Sequence, residues 1–221
     1  MYQLNILEIS DLSVNIKGRA IIDSFNITAK PGDVVFITGD NGSGKSTVLK
    51  TIARYIPSSK GSIRFSGKES SVFSLNEWHQ FVHYLPQHNS LAFPIKVKDL
   101  LIMAFYREKK WFDEYNQQQY QSLIELAKRF GITHLLERNA KELSGGELQL
   151  CWLVQSFLAH PNILLLDEPT QYLDAKNRIL FFHLLNEMQA LNPFICLCVT
   201  HDLPFKKESY GKIVNLSSVQ E

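Results

Sequence analysis

The residues best suited to chemistry form a glycine-rich run, GDNGSGKST, at positions 39–47. Glycine adopts positive φ angles readily, so that successive backbone N–H groups can turn inward around a phosphate. Lys45 adds a positive charge for the outer phosphates of a nucleotide, and the Ser46 hydroxyl can bind Mg²⁺. The run matches G-x-x-x-x-G-K-[ST] in full and predicts a nucleotide site made by Gly39, Asn41, Gly42, Ser43, Gly44, Lys45, Ser46 and Thr47.

The alternative for this run is a plain glycine turn that matches by chance. Phosphate binding requires a buried strand before the loop and a helix after it. An apolar segment at 34–37 precedes the loop, and helical spacing follows from residue 46 to about 55. This order favours the nucleotide site.

Two acidic residues, Asp167 and Glu168, follow the apolar segment at 163–166. Acids at the carboxyl end of a buried strand lie where α/β proteins bind their ligands. We predict that Asp167 holds Mg²⁺, directly or through water, and that Glu168 polarises the attacking water as a general base. Without the glycine-rich loop, solvated acids at a strand end would be the better interpretation.

A second glycine motif, LSGGE at 143–147, stands 24 residues before Asp167 (167 − 143). Ser144, Gly145 and Gly146 precede a predicted helix, and a helix start of this kind binds anions. A monomer with one nucleotide does not need two anion sites. A head-to-tail dimer does, because each LSGGE motif can close over the phosphate bound by the other copy.

Strands and helices alternate around these motifs, which predicts an α/β fold with a mainly parallel sheet. The predicted elements of this part are strands at 34–37, 163–166 and 195–200, and helices at about 46–55, 145–159 and 175–190.

The remaining parts of the chain have other patterns. Residues before Pro31 alternate as two antiparallel strands around a turn at 17–19. Residues 88–142 have helical spacing, including a helix over 97–105 and a later one that Gly131 stops. We therefore predict one domain, 1–221, in which 1–87 and 160–221 form an α/β core with an antiparallel β subdomain and 88–159 form a helical subdomain.

Composition excludes several classes of protein. Twenty-three Lys and Arg against 22 Asp and Glu give a net charge of +1, without the basic excess of a nucleic-acid binder or a membrane-surface protein. No apolar run is long enough to span a membrane, and the start does not resemble a secretory signal. Cys196 and Cys198 are expected on one side of a buried strand. His79 and His83 lack the acidic companion of a zinc helix, and we expect them at the surface. We expect a reduced, cytosolic protein.

Six motifs occur together along nearly the whole chain: GDNGSGKST, Gln87 in YLPQ, LSGGE, LLLDEP, Leu173 with Asp174, and His201. In this order they resemble the nucleotide-binding subunit of ATP-binding cassette (ABC) transporters. The resemblance implies a P-loop NTPase (RecA-like) core with an antiparallel β subdomain and an inserted helical subdomain.

The resemblance also implies cofactors, partners and roles. ATP and Mg²⁺ would bind in a homodimer, with each ATP between a phosphate loop and the opposing LSGGE motif. Gln87 would sense Mg²⁺ and relay movement to an integral membrane permease. His201 would contact the γ-phosphate and help to hold the attacking water, and Asp174 would connect the two sites. The subunit would lie at the cytoplasmic face of the cell membrane.

Four positions differ from the family pattern. Ile16 stands where the family usually has an aromatic residue that stacks on adenine, so we expect weaker ATP binding and poorer base discrimination. Leu150 and Gln155 stand where arginines are frequent, and Glu147 replaces a commoner glutamine. None of these changes removes a group that hydrolysis requires.

The cargo is indicated only by local resemblance. The stretch LAFPIKVKDLLIMAFYREKKWF at 91–112 resembles importers of metal ions and of metal chelates such as siderophores or cobalamin. Trp111, Phe112 and Tyr115 would contribute to a groove for a short helix of the permease. The alternatives are a DNA- or ribosome-associated ABC ATPase, an iron–sulfur assembly factor and a non-hydrolysing regulatory module.

Overall fold

The computed structural model describes residues 5–108, 113–201 and 211–216. The strands are β1 (Leu7–Ile16), β2 (Arg19–Ala29), β3 (Val34–Thr38), β4 (Lys60–Phe65), β5 (Lys68–Glu69), β6 (Val82–Leu85), β7 (Ile163–Asp167), β8 (Ile195–Val199) and β9 (Lys212–Asn215). The helices are α1 (Lys45–Ile52), α2 (Leu75–Phe81), α3 (Val97–Ile102), α4 (Gln117–Arg129), α5 (Gly145–Leu158) and α6 (Ala175–Leu191).

One sheet is parallel throughout, in the order β6-β7-β8-β3-β9, and confirms the predicted parallel core. Every residue of β7 and β8 is buried, as in strands that helices or a second sheet cover on both faces. Cys196 and Cys198 pack with residues of α5 and α6 on one face of the sheet. Leu197 faces the other side, where α1 lies. The prediction for the two cysteines is therefore confirmed.

The second sheet is antiparallel, in the order β2-β1-β4-β5. Its first hairpin turns at Lys17 and Gly18, whose φ angles are 50° and 82°. Positive φ at both central residues gives a two-residue turn the twist that hairpins need. The apolar face of this sheet packs on α1, which lies between the two sheets and touches β2, β7 and β8. The predicted hairpin is confirmed.

The helical region packs α3, α4 and α5 around a common apolar cluster. Gly131, with φ 69°, follows the end of α4 as predicted. The helix predicted over 97–105 ends as an α-helix at Ile102 and continues as the 3₁₀ helix Met103–Glu108. Trp111 and Phe112 lie outside the described residues, whereas Tyr115 packs half-buried against the cluster. The proposed division of the domain into 1–87, 88–159 and 160–221 stays a prediction.

The surface location expected for His83 is wrong. His83 belongs to β6 and shares no helix with His79. Ser156 Oγ donates to the Trp152 carbonyl, so that the His83 Nε2, 3.1 Å from Ser156 Oγ, acts as the donor to that oxygen. Burial lowers the pKa of His83 to about 4, and nearby Arg107 acts in the same direction. His83 therefore supports contact between β6 and α5 as a neutral side chain.

No helix within the described ranges combines the length and the apolar character that crossing a bilayer requires.

Candidate nucleotide site

The glycine-rich loop leaves the buried strand β3 and ends where α1 begins. Gly39, Gly42 and Gly44 have φ angles of 145°, 82° and 94°, in the region that favours glycine. A Cβ on Gly39 would collide with the carbonyl oxygen of Leu216, and one on Gly44 would lie 3.0 Å from the Ile21 carbonyl oxygen. Neighbouring backbone therefore requires glycine at both positions.

The interior of the loop holds polar groups suited to an anion. Lys45 is 7% exposed, and its Nζ donates to the carbonyl oxygens of Gly39 at 2.9 Å and Asp40 at 2.7 Å. Ser43 is 2% exposed, and its Oγ has no hydrogen-bond partner among the described residues. A buried cation held by neutral carbonyls and a buried hydroxyl without a partner are both costly unless a ligand completes them. The loop therefore fits the phosphates of a nucleotide.

A cavity of about 270 Å³ opens above the loop. Its lining brings together residues that are far apart in the sequence and includes most of the predicted site. The lining residues are Ile21, Asn41, Gly42, Gly44, Lys45, Ser46, Thr47, Gln87, Glu168, Val199 and His201. Ile21 was missed because nothing in its local sequence distinguishes it from other strand residues.

Asp167 lies beneath this cavity at the end of β7 and is 2% exposed. Ser46 Oγ donates to its Oδ1 at 2.8 Å, and the Tyr84 hydroxyl donates to its Oδ2 at 3.0 Å. Burial and the adjacent Asp167 raise the pKa of the Tyr84 phenol, which keeps its proton for this hydrogen bond. A carboxylate beside a serine hydroxyl supplies the oxygen ligands that Mg²⁺ prefers. Tyr84 was missed, since its partner is known only once β6 and β7 are paired.

Glu168 adopts φ 51°, the left-handed region that costs a non-glycine residue energy. Its N–H donates to the Val199 carbonyl at 2.8 Å, which holds the residue at the end of β8. His201 Nε2 lies 3.3 Å from Glu168 Oε1. Burial raises the pKa of the Glu168 carboxyl, although His201 opposes the rise. A poised carboxylate facing the loop can accept a proton from water.

Gln87 lies two residues beyond β6 and lines the cavity. Its Nε2 donates to Gln171 Oε1 at 3.0 Å. Gln171 lies between Glu168 and Asp174 in the sequence, and no motif pointed to it. The predicted Gln87 is thus tied to the segment that follows the acidic pair.

The LSGGE motif is built differently. Ser144 caps α5: its Oγ accepts from Glu147 N at 3.3 Å, while its N–H and Oγ–H both donate to Glu147 Oε2 at 2.8 Å. Gly145 and Gly146 form the first turn of α5, which begins at Gly145 as the predicted helix at 145–159 does. Ser144, Gly145 and Gly146 are not among the described residues that line the loop cavity. Within one chain, the structure does not bring the motif to the phosphate loop.

Two further predicted residues also lie apart from the lining of that cavity. Asp174 is exposed and caps α6, where its Oδ1 accepts from Asn177 N at 2.7 Å. Ile16 ends β1 beside the hairpin turn and is 38% exposed. Their predicted roles, in connecting two sites and in contacting adenine, stay predictions.

A second groove, of about 160 Å³, lies beside the start of α5. Gln87 lines this groove as well as the loop cavity, together with His88, Trp152 and Tyr172. The Tyr172 hydroxyl lies 3.0 Å from His88 Nδ1. Trp152 Nε1 is buried and has no hydrogen-bond partner among the described residues. The groove therefore offers aromatic surface to a ligand or a protein segment.

Comparison with known proteins finds, over most of the chain, the ABC transporter family that the motifs indicated. A family model described as ABC transporter matches residues 22–171. The zinc uptake system ATP-binding protein ZurA of Listeria innocua is 31% identical over 90% of this chain and 77% of its own length. The achromobactin transport ATP-binding protein CbrD of Dickeya dadantii is 30% identical over 87% of this chain and 72% of its own.

Solved structures of ABC ATP-binding subunits have the same fold as this chain. The ATP-binding subunit of an ABC transporter matches with a TM-score of 0.83 at 24% identity, covering 96% of this chain and 85% of that one. CbiO1 of Clostridium perfringens, part of the ABC transporter complex CbiONQ, matches with a TM-score of 0.76 at 26% identity, covering 90% and 79%. The fold is that of an ABC P-loop ATPase domain, as the motifs predicted. The chain belongs to the ABC transporter family and is one of its ATP-binding, ATP-hydrolysing subunits.

Proposed function

We propose that this ATPase subunit powers the import of a metal ion or a metal chelate across the cell membrane. The observation that carries the cargo class is the similarity, over about nine-tenths of the chain, to ATP-binding proteins of zinc uptake and achromobactin transport. The stretch at 91–112, between Gln87 and α4, supports the same class.

The loop residues would hold the phosphates of ATP, with Lys45 exchanging the carbonyls of Gly39 and Asp40 for phosphate oxygens. Ser46 and Asp167 would hold Mg²⁺, and Gln87 lies at the rim of the same cavity. When bound, Mg²⁺ neutralises the charge that develops on the phosphate oxygens.

Hydrolysis would depend on Glu168 and His201. Glu168 would accept a proton from the attacking water at its carboxylate, since this group is poised above the loop with a raised pKa. His201, within 3.3 Å of that carboxylate, would orient it and the water. The left-handed backbone of Glu168 fixes the direction from which the carboxylate enters the cavity.

We infer a head-to-tail homodimer as the working form. Ser144, Gly145 and Gly146 present an exposed helix start that the loop of the same chain does not use. A second copy would complete each site with these residues and would place Asp174 near the junction of the two sites. The test is gel filtration with light scattering: ATP is expected to convert the Glu168→Gln variant from monomer to dimer. A variant that binds ATP and stays monomeric would contradict the dimer.

The membrane partner is proposed to bind the groove that Gln87 and Trp152 line. A permease helix entering this groove would pack against the Tyr172 ring and would touch Gln87, which also lines the loop cavity. The subunit would then be held peripherally at the cytoplasmic face of the membrane. We expect Tyr172→Ala, which removes the exposed ring from the groove, to weaken association with the permease while isolated ATPase activity is unchanged.

The decisive experiment is purification of the native complex from membranes, followed by reconstitution in liposomes. We expect recovery of a polytopic partner and ATP-dependent uptake of zinc or of an iron chelate. Recovery in the soluble fraction alone would contradict the transporter assignment and favour the assembly-factor or DNA-associated alternatives. Uptake of a solute that contains no metal would contradict only the cargo.

A further inference from the structure

The carboxylate of Asp167 is held by two hydroxyls that come from different elements. Ser46 Oγ, from α1, donates to Oδ1 at 2.8 Å, and the Tyr84 hydroxyl, from β6, donates to Oδ2 at 3.0 Å. Asp167 is 2% exposed, so that water has little access to these oxygens. Its orientation therefore depends on the two side-chain donors.

The two hydroxyls differ in what happens when a nucleotide binds. Under the proposed function, Ser46 and Asp167 would hold Mg²⁺, so that the hydrogen bond between them would be altered when the metal binds. Tyr84 makes its contact on the opposite oxygen and does not line the loop cavity. Its hydrogen bond can persist throughout the reaction, whereas that of Ser46 cannot persist unchanged.

The geometry points to Tyr84 as the positioning residue that fixes the rotation of the Asp167 carboxylate and so sets how tightly the site holds the divalent cation. This inference rests on the proposed Mg²⁺–ATP function. Tyr84 itself touches neither substrate nor metal in this proposal, and it acts through Asp167.

The placement of Tyr84 is rigid enough for this role. Tyr84 pairs with Leu165 in the parallel ladder of β6 and β7, so its backbone is fixed two residues from Asp167 along the sheet. Its ring lies 5.8 Å from that of Tyr55, which in turn lies 5.3 Å from His79. A phenol anchored by a ladder and by ring contacts can select one rotamer of the carboxylate that it faces.

Tyr84 is also close in sequence to the groove proposed for the permease, which Gln87 and Trp152 line. Leu85 and Pro86 separate it from Gln87, which lines both the loop cavity and the groove. A displacement of this segment would therefore reach the Asp167 carboxylate through the phenol.

The test compares Tyr84→Phe with Tyr55→Phe. Each variant loses one phenolic oxygen and keeps its ring, and the two rings are neighbours. Binding of a fluorescent ATP analogue is measured by titration with Mg²⁺ and, separately, in excess EDTA. For Tyr84→Phe, we expect the half-saturating Mg²⁺ concentration to rise about five-fold, as for loss of one hydrogen bond, with EDTA binding unchanged. Tyr55→Phe should match the wild type in both.

Three results would overturn the inference. The first is a Mg²⁺ dependence of Tyr84→Phe equal to that of Tyr55→Phe. The second is a loss of nucleotide binding by Tyr84→Phe that is the same with Mg²⁺ and with EDTA. The third is a large fall in the thermal midpoint of Tyr84→Phe together with its weaker binding. The second and third would indicate a purely structural role. A wild-type protein that binds no nucleotide, or binds it without regard to Mg²⁺, would instead refute the proposed function on which the inference rests.

Discussion

The phosphate loop and the start of α5 both present backbone N–H groups at a helix start, yet they are held in opposite ways. Contacts of the loop come from distant parts of the chain. Asp167 accepts hydrogen bonds from Ser46 and Tyr84, and the Leu216 carbonyl lies against Gly39. The LSGGE motif is held mainly by a local capping box between Ser144 and Glu147, and Glu147 Oε1 also lies 3.6 Å from Arg138 Nη1. The first site is assembled by folding, whereas the second is an exposed surface that folding leaves ready for another molecule.

The two sites also differ in the free energy that they cost an isolated chain. Lys45 and Asp167 are charged groups inside the protein, and their desolvation must be offset by partners. Ser144 is exposed and satisfied by a local capping box, so that it costs little in the absence of a partner. Changes in the loop should therefore weaken nucleotide binding by an isolated chain, and changes at Ser144 should weaken nucleotide-driven assembly of the dimer.

The largest effect is expected for Glu168→Gln. The variant keeps the side-chain size and loses the ability to accept a proton, so that ATP hydrolysis should fall about a thousand-fold while nucleotide binding remains. A phosphate-release assay, with binding measured in parallel, checks this. Hydrolysis within a few-fold of the wild type would assign the base to another group.

Lys45→Ala tests the claim that the loop is complete in one chain. Loss of the cation should weaken ATP binding to the monomer roughly 100-fold, as expected for hydrogen bonds between charged groups. Calorimetric titration gives the affinity directly. Lys50→Ala, on the same helix but in its last turn, is the matched control and should bind like the wild type. Equal losses in both variants would mean that general charge, and not the loop, holds the nucleotide.

Ser144→Asp tests the other half of the comparison. Aspartate is a good N-cap, but it cannot donate to Glu147 Oε2 as the serine hydroxyl does, so that the thermal midpoint should fall modestly. Its charge would also face the phosphate of the partner copy. We expect ATP binding by the monomer to be unchanged and ATP-driven dimerisation to weaken roughly 30-fold, because like charges meet. Ser74→Asp makes the same change in the capping box of α2 and should dimerise normally. If both variants dimerise equally well, Ser144 does not meet a phosphate.

Ile16→Tyr should have the smallest effect. A ring at this exposed position could stack on adenine, which would lower the KM for ATP about five-fold and leave that for GTP less changed. Steady-state kinetics with both nucleotides measures the difference, with Ile16→Leu as the control. An unchanged KM for ATP would show that the base does not lie over Ile16.

Much of this architecture could be predicted because it is encoded locally. The glycine loop, the apolar strand before Asp167 and the turn at Lys17 and Gly18 each combine residue type with short-range spacing. The family motifs then placed Gln87 and His201, and the structure brings both to the loop cavity.

The missed residues depend on pairing between distant elements. Tyr84 acquires its role from the register of β6 against β7, and Ile21 from the way β2 crosses α1. His83 was misplaced for the same reason, since its four-residue spacing from His79 suggested one helix and the chain changes from helix to strand between them. The spacing of apolar residues reports on one helix or strand at a time, and it carries no information on contacts between distant elements.

The contact between Leu216 and the loop has a consequence for biosynthesis. Leu216 N donates to the Thr38 carbonyl at 2.7 Å, and β9 pairs with β3 just before the loop. A ribosome adding about 5–20 residues per second would release the loop roughly 10–30 seconds before β9. Until β9 emerges, the nascent chain therefore lacks both the strand that pairs with β3 and the carbonyl that packs against Gly39, and ATP is expected to stabilise the chain fully only after that point.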